Sequence, residues 1–242
     1  MEKIFKKLFS LLIIAAVFAV SCPSFAPASG NQRFLTARRS MVEGQIVKRG
    51  VTDSAVIESM VSVPRHLFVP EKYVPAAYHD TPLPIGYGQT ISQPYIVAYM
   101  TEILKVGRED TVLEVGTGSG YQAAILSALV KKVYTIEIIP ELALEAAHRL
   151  KELNYKNADV KNSDGYYGWP EHAPFDAIIV TAAAGHIPPP LVKQLKKGGR
   201  MIIPVGGTFM VQSLVLVTKD KDGKITTENV MYVRFVPLTG ER

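Results

Sequence analysis

Val112-Leu113-Glu114-Val115-Gly116-Thr117-Gly118-Ser119-Gly120-Tyr121 runs from a short apolar strand directly into Gly-x-Gly-x-Gly and then into a helix. Glycines at such a junction let the chain turn sharply and let a ligand touch bare main chain. The helix that follows presents free N–H groups at its first turn. In an open α/β sheet this junction lies at the carboxyl end of a strand, where the ligand crevice forms.

Strand and helix alternate outward from this loop. Strands are expected at 111–115, 133–137, 158–161, 175–180 and 200–205. Helices are expected at 120–130, 140–153 and 191–195, the last closed by Gly198-Gly199. That alternation predicts βαβ units with right-handed crossovers, hence an α/β fold with a doubly wound, mainly parallel sheet. Residues 213–218 and 229–236 read as two strands joined by a turn at 220–223. No helix separates them, so an antiparallel pair ends the sheet. Upstream lies an N-terminal helical extension. One helix begins at Phe34 and closes at Gly50, and Asp53 caps a second through Met60. A third starts at Ser92-Gln93-Pro94, where Pro is tolerated in the first turn, and runs to about Leu104. Pro64, Pro70, Pro75, Pro82 and Pro84 make residues 62–91 loops and short turns.

Composition suits one such domain. Of 242 residues, 48% are hydrophobic and 20% charged, which supplies a full core and excludes a disordered or collagen-like chain. Cys22 is the single cysteine, so no internal disulfide and no cysteine-built metal site is possible. The histidines at 66, 79, 148, 172 and 186 never fall at His-x-x-x-His spacing, and no metal site is expected. Met1 to Val20 reads as an export signal: Lys3, Lys6 and Lys7, then an apolar run from Leu8 broken only by Ser10. That run is too short to span a bilayer comfortably. Ala26-Pro27-Ala28 offers a cleavage pattern. Ala19-Val20-Ser21-Cys22 looks like a lipoprotein box with Ala19 in place of the usual Leu, and lipid attachment at Cys22 is the less favoured outcome. The expected organisation is a signal over 1–28, a linker over 29–33 and one domain over 34–242, with the mature protein periplasmic. Residues 1–21 carry three lysines and one glutamate, so without them the net charge falls from +5 to +3. The remaining basic pairs, Arg38-Arg39, Lys131-Lys132 and Lys196-Lys197, read as solvated helix ends or turns, and no nucleic-acid partner is expected.

Glycine spacing discriminates between ligands. A dinucleotide fingerprint places its third glycine where Tyr121 stands, which argues against a nicotinamide oxidoreductase, and no Gly-Lys-Ser/Thr follows for a phosphate loop. Gly116, Gly118 and Gly120 with Glu114 two residues ahead form the S-adenosyl-L-methionine pattern, and Thr117 lies inside that loop. Glu137 ends the second strand 17 residues after Gly120, near the distance at which an acid reaches the ribose hydroxyls of an adenine nucleoside. Asp164-Gly165 follows the third strand and falls where a loop can hold an adenine amino group; the same pair is equally an ordinary turn.

Four segments together resemble the protein-L-isoaspartate O-methyltransferase family. They are Leu83 to Tyr95, with Gly88-Gln89-Thr90-Ile91-Ser92-Gln93-Pro94; Val112 to Ala123; Pro174 to Ala183; and Leu195 to Gly206. Arg234-Phe235-Val236-Pro237-Leu238 also fits, so the likeness covers about residues 34–238. The glycine loop is shared by most class I methyltransferases, whereas the Gly-Gln-Thr-Ile-Ser-Gln-Pro run is specific to this family. The resemblance implies a Rossmann-like, S-adenosylmethionine-dependent repair enzyme acting on isoaspartyl (and D-aspartyl) residues of damaged proteins and peptides; a monomer is expected. It places the active-site serine on Ser92, with Thr90 beside it. It places the cofactor site on Glu114, Gly116, Gly118, Glu137, Asp164 and Gly165. Ser163 departs from the glycine often found there, and most members are cytoplasmic, which sets a cytoplasmic location against the export reading. The rivals are a small-molecule carboxylate methyltransferase on the same fold and an exported binding protein without turnover.

The implied chemistry asks little of the side chains. A substrate carboxylate ordinarily titrates near pH ~4 and is already ionised at neutral pH, so no general base is needed. Alignment and desolvation are what the protein supplies. Thr90 and Ser92 offer hydroxyls to orient the carboxylate. Local sequence alone favours Ser92 as an N-cap for the helix at Gln93-Pro94; the family resemblance favours the active-site role, and the two are compatible.

Overall fold

The computed structural model describes residues 30–207 and 210–240. The expected signal, its cleavage sites and Cys22 lie outside the described residues. In chain order the main elements begin with α1 (Gly30–Met41), α2 (Ser54–Ser62), β1 (Leu83–Gly86), β2 (Gln89–Ile91), α3 (Pro94–Leu104), β3 (Thr111–Val115) and α4 (Tyr121–Ser127). They continue with β4 (Lys132–Glu137), α5 (Pro140–Glu152), β5 (Ala158–Asn162), β6 (Phe175–Val180), α6 (Pro189–Gln194), β7 (Leu195–Val205), β8 (Gln212–Lys219) and β9 (Ile225–Val233).

Seven strands form one sheet in the order β5-β4-β3-β6-β7-β8-β9. The first five are parallel, and β8 and β9 close the sheet antiparallel, as the alternation of elements predicts. The strand order reverses at β3, which has β4 on one side and β6 on the other. The crevice of a doubly wound sheet opens at that point, above the glycine loop. Both faces of the central strands are buried, which is why β3 and β6 read as continuous apolar runs. Val112, Ala177, Ile179 and Ile202 face a core shared with α3, α4 and the N-terminal helices. Leu113, Val115, Ile178, Val180 and Ile203 face a second core closed by Leu191 of α6.

The N-terminal extension locks the loop region from one side. α1 starts at Gly30, ahead of Phe34, and is followed by a π turn (Val42–Ile46) and a 3-10 turn (Val47–Arg49) before Gly50 ends the run at φ 95°. Asp53 caps α2, accepting from the N–H groups of Ala55 and Val56 at 2.9 and 3.1 Å. Tyr121, in the place of the third dinucleotide glycine, is buried with its ring edge-on to Phe68 and beneath the Arg65 guanidinium.

Four expectations need correction. Residues 62–91 are not only loops and turns: β1 and β2 form a hairpin whose turn residues Tyr87 and Gly88 both have positive φ, 52° and 72°. Strands this short are held by burial of Leu83, Ile85 and Ile91 rather than by local propensity, and the prolines mask them. Gly198-Gly199 does not close a helix but lies inside β7, where the pairing jumps from Phe175↔Leu195 to Ala177↔Arg200. A Cβ on Gly199 would lie 2.7 Å from the Asp176 carbonyl oxygen, so close backbone approach demands glycine there. The helix after the glycine loop stops at Ser127, not at 130. The last strand spans 225–233, and residues 234–236 leave the sheet, with Val236 reaching the wall of the crevice.

Candidate functional site

The loop after β3 is built from conformations that side chains disfavour. Gly116, Gly118 and Gly120 have φ of 97°, 52° and 86°. At Gly116 there is also no room: a Cβ would strike Thr181 Oγ1. That hydroxyl donates to the Gly116 carbonyl at 2.6 Å and lies 3.1 Å from that of Val115, tying β3 and β6 together at the switch point. Thr117 and Thr135 hydroxyls meet at 2.6 Å beneath the loop. Glu137, at the end of β4, is 5% exposed and accepts from the N–H groups of Gly118 and Ile139 at 2.8 and 3.0 Å. Each carboxylate oxygen thus keeps a lone pair for a ligand, and the geometry suits vicinal hydroxyls.

Three clefts meet over this loop. The first, about 530 Å³, runs from Gly116 and Gly118 past Glu137 and Ile139 to Gly165, roofed by Val236 to Thr239. The roof is pinned to the exit of β6: Ala183 N–H donates to the Val236 carbonyl at 2.8 Å and Leu238 N–H to the Ala183 carbonyl at 2.7 Å. The second, about 330 Å³, holds Glu114, Thr117, Ser119 and Gln122 with Ser92. The third is the largest, about 1050 Å³, and carries Arg49, Ser92, Gln93, Ile96 and the stretch 231–236. Thr90 and Thr181 line all three.

The residues singled out from sequence therefore divide. Ser92, Thr90, Glu114, Gly116, Thr117, Gly118, Glu137 and Gly165 line the joined clefts. Gly120 lies behind them at the N-cap of α4, its Cα hydrogens facing Leu150 and Ala146 of α5. Asp164 accepts from Tyr166 N–H at 2.9 Å through Oδ1, while Oδ2 is buried without a partner and faces Gly240 of the roof. Ser92 does not cap α3, whose N-cap is Gln93 without a side-chain cap bond. That leaves Ser92 to the clefts it lines. Residues unforeseen from sequence are Thr181, Arg49, Ile139 and the roof. Arg49 sits at the end of a 3-10 turn, its guanidinium 3.5 Å over the Tyr95 ring and 2.8 Å from Asp80. Among the described residues, Arg49 and Arg234 are the charged side chains lining the third cleft, and no carboxylate lines it.

Glu114 is the electrostatic exception of the site. It is fully buried, and neither oxygen has a hydrogen-bond partner. Burial pushes its pKa up to about 8, with the nearby Thr135 hydroxyl opposing and the Glu137 charge adding to the rise. At neutral pH the carboxyl is mainly protonated, poised to ionise against a cation. Because the folded pKa exceeds the ordinary 4.5, the folded chain holds a proton that the unfolded chain releases. Stability therefore falls as pH rises from about 4.5 to about 8 and levels above that. Glu114→Gln is expected to flatten this decline. Urea midpoints of both proteins across that range check it, and parallel slopes would contradict the burial effect. Among the described residues no group of three His, Cys, Asp or Glu side chains is placed to hold a metal.

Known proteins share this architecture. A family model described as protein-L-isoaspartate(D-aspartate) O-methyltransferase matches residues 36–242. Protein-L-isoaspartate O-methyltransferase 2 of Syntrophobacter fumaroxidans is 66% identical over 188 residues, 78% of this chain and 76% of that protein. Protein-L-isoaspartate O-methyltransferase 1 of Cupriavidus necator is 51% identical over 243 residues, 98% and 93% of the two chains. A Plasmodium falciparum structure described as a putative protein-L-isoaspartate O-methyltransferase in complex with S-adenosyl-L-homocysteine superposes with a TM-score of 0.72 at 27% identity, over 84% of this chain and 98% of that one.

Proposed function

The chain belongs to the protein-L-isoaspartate(D-aspartate) O-methyltransferase family, and on that premise we propose how its own residues divide the work. The protein is an S-adenosyl-L-methionine-dependent enzyme of protein repair, methylating the free carboxylate of isoaspartyl residues. When bound, S-adenosyl-L-methionine supplies a sulfonium methyl group for transfer to a carboxylate oxygen. The residues present fit it. The loop at Gly116 and Gly118 offers bare main chain, and Glu137 keeps free lone pairs toward the first cleft. Glu114, buried and unpartnered in the second cleft, suits the cofactor's α-ammonium group. Gly165 and the 236–239 roof would flank the adenine.

The observation that carries this division is the convergence of the three clefts at Thr90 and Thr181, with Ser92 on the border of the second and third. The largest cleft is open and bears two arginines, as an anionic peptide segment requires. Thr90 and Ser92 orient the carboxylate there; Thr181 holds the loop and walls the junction. The acceptor is ionised on arrival, so these hydroxyls position it and take no proton. Incubation with labelled cofactor and an isoaspartyl peptide, beside its aspartyl twin and small carboxylic acids, tests the reading. Label is expected in the isoaspartyl peptide alone, and label in the small acids instead would favour the rival activity.

Ser92→Ala is expected to lower kcat by about tenfold or more, the scale of one lost positioning hydrogen bond, while leaving cofactor affinity within about twofold. Steady-state kinetics with calorimetry check the split; a wild-type kcat would remove Ser92 from the mechanism. Export of the chain also enters as a proposal, supported by the lysines at 3, 6 and 7 ahead of the apolar run to Val20. N-terminal sequencing of the protein from fractionated cells tests it, and an intact Met1 in the cytosolic fraction would overturn it.

A further inference from the structure

β9 is the outermost strand of the sheet: it pairs with β8 alone, so its other edge is free of strand partners among the described residues. Side chains alternate across it. Val233 is buried and Tyr232 is 72% exposed. Tyr232 stands opposite Ser213 of β8, so both point to one face, and Val211 lies directly ahead of β8, whose first residue Gln212 pairs with Val233. Val211 is 53% exposed. Sheet edges of soluble proteins are ordinarily blunted by charge, and an exposed Tyr232 on this edge strand is the opposite. Tyr232 and Val211 also line the same cleft as Thr90 and Ser92. A Tyr on a strand is common enough for β-propensity alone to account for it. An exposed aromatic and an exposed branched aliphatic that line one cleft with Thr90 and Ser92 are not accounted for in that way.

We propose that Tyr232 and Val211 form an apolar shelf that selects the substrate side chain flanking the methylated residue, favouring aromatic and large aliphatic residues within two positions of it. This rests on the repair activity stated above and adds a substrate preference to it. An extended segment places side chains about 7 Å apart on one face, and Ser92, Val211 and Tyr232 line one cleft, so a short stretch can offer one residue to Ser92 and a neighbour to the shelf. The shelf acts on ground-state binding and is remote from the transferred group. Its effect therefore falls on KM and leaves kcat alone.

The test uses isoaspartyl hexapeptides differing at one position, from two before to two after the isoaspartyl residue, with Phe, Leu, Ser or Glu there. Wild-type enzyme is expected to show, at one of these positions, a KM about tenfold lower for Phe and Leu than for Ser, at equal kcat. In Tyr232→Ser the Phe-to-Ser ratio of KM should collapse toward one, and in Tyr232→Phe it should persist. Val211→Ser, which alters the other half of the shelf, should reduce the ratio in part. A wild-type enzyme indifferent to the flanking residue would overturn the shelf while leaving the repair activity standing, as would a ratio that survives in Tyr232→Ser. Absence of methyl transfer to every isoaspartyl peptide would sink the activity and the shelf together. Sedimentation of wild type and Tyr232→Ser covers the remaining occupant: a dimer lost in the variant, with no peptide preference in wild type, would assign this face to a second copy instead.

Discussion

Glu137→Ala weakens binding of S-adenosyl-L-methionine by about a hundredfold, roughly 3 kcal/mol, on the scale of charge-assisted hydrogen bonds. The wild-type carboxylate is almost fully buried and already accepts from Gly118 and Ile139 N–H groups. Removing it has two effects. It deletes the acceptor proposed for the ribose hydroxyls, and it leaves two main-chain donors at the cleft wall without their partner. The Gly118 donor belongs to the loop itself, so the loop loses its tether to β4 as well. Glu137→Gln keeps one acceptor oxygen and the shape, and a smaller loss of about tenfold is expected. Titration calorimetry with the cofactor or its demethylated product measures both. Affinity unchanged in Glu137→Ala would remove the ribose role. A large fall in thermal stability with unchanged affinity in the folded fraction would make Glu137 a loop brace only.

Gly116→Ala destabilises the protein by about 3 kcal/mol, the sum of two costs. Holding an ordinary residue at a left-handed φ costs roughly 1–2 kcal/mol. The new methyl group also meets Thr181 Oγ1 and must displace it, at an overpacking cost of about 1–3 kcal/mol. For a chain of this size that lowers Tm by about 6–12 °C. Gly185→Ala is the control, since nothing lies within 4 Å of a Cβ there. It should melt within about 1 °C of wild type. The clash is with a single side-chain atom, so the cost is coupled to its neighbour: Thr181→Ala should restore part of the stability lost in Gly116→Ala. Additive losses in the double variant would show that backbone strain, and not the Thr181 contact, governs the position.

The two experiments separate what could be read from residues alone from what could not. The glycine loop was legible because its conformation is a local property: Gly116, Gly118 and Gly120 all take positive φ, which demands glycine wherever the chain goes next. The acid at 137 was legible because the length of one helix and one strand fixes its distance from the loop. The parallel order of β3 to β7 and the antiparallel close followed from alternation, since a crossover needs a helix and a hairpin does not. The hairpin at 83–91 was not legible: its strands are four and three residues long and exist because Leu83, Ile85 and Ile91 are buried. Gly198-Gly199 looked like a helix stop because the carbonyl of Asp176 that excludes a side chain there comes from another strand.

By itself, then, the sequence determined the fold class, the glycine loop and the place of the carboxylate at the end of the next strand, because each is written in short-range spacing that steric and hydrogen-bonding rules translate directly. Only the tertiary structure decided that Thr181 closes on Gly116, that residues 236–239 roof the crevice, that Glu114 is stranded without a partner, and that Arg49 and Tyr232 line the same cleft. The partners in each of these meetings stand far apart along the chain. Their approach depends on how the sheet edge, the hairpin and the N-terminal helices stack, a matter of packing that no local pattern encodes.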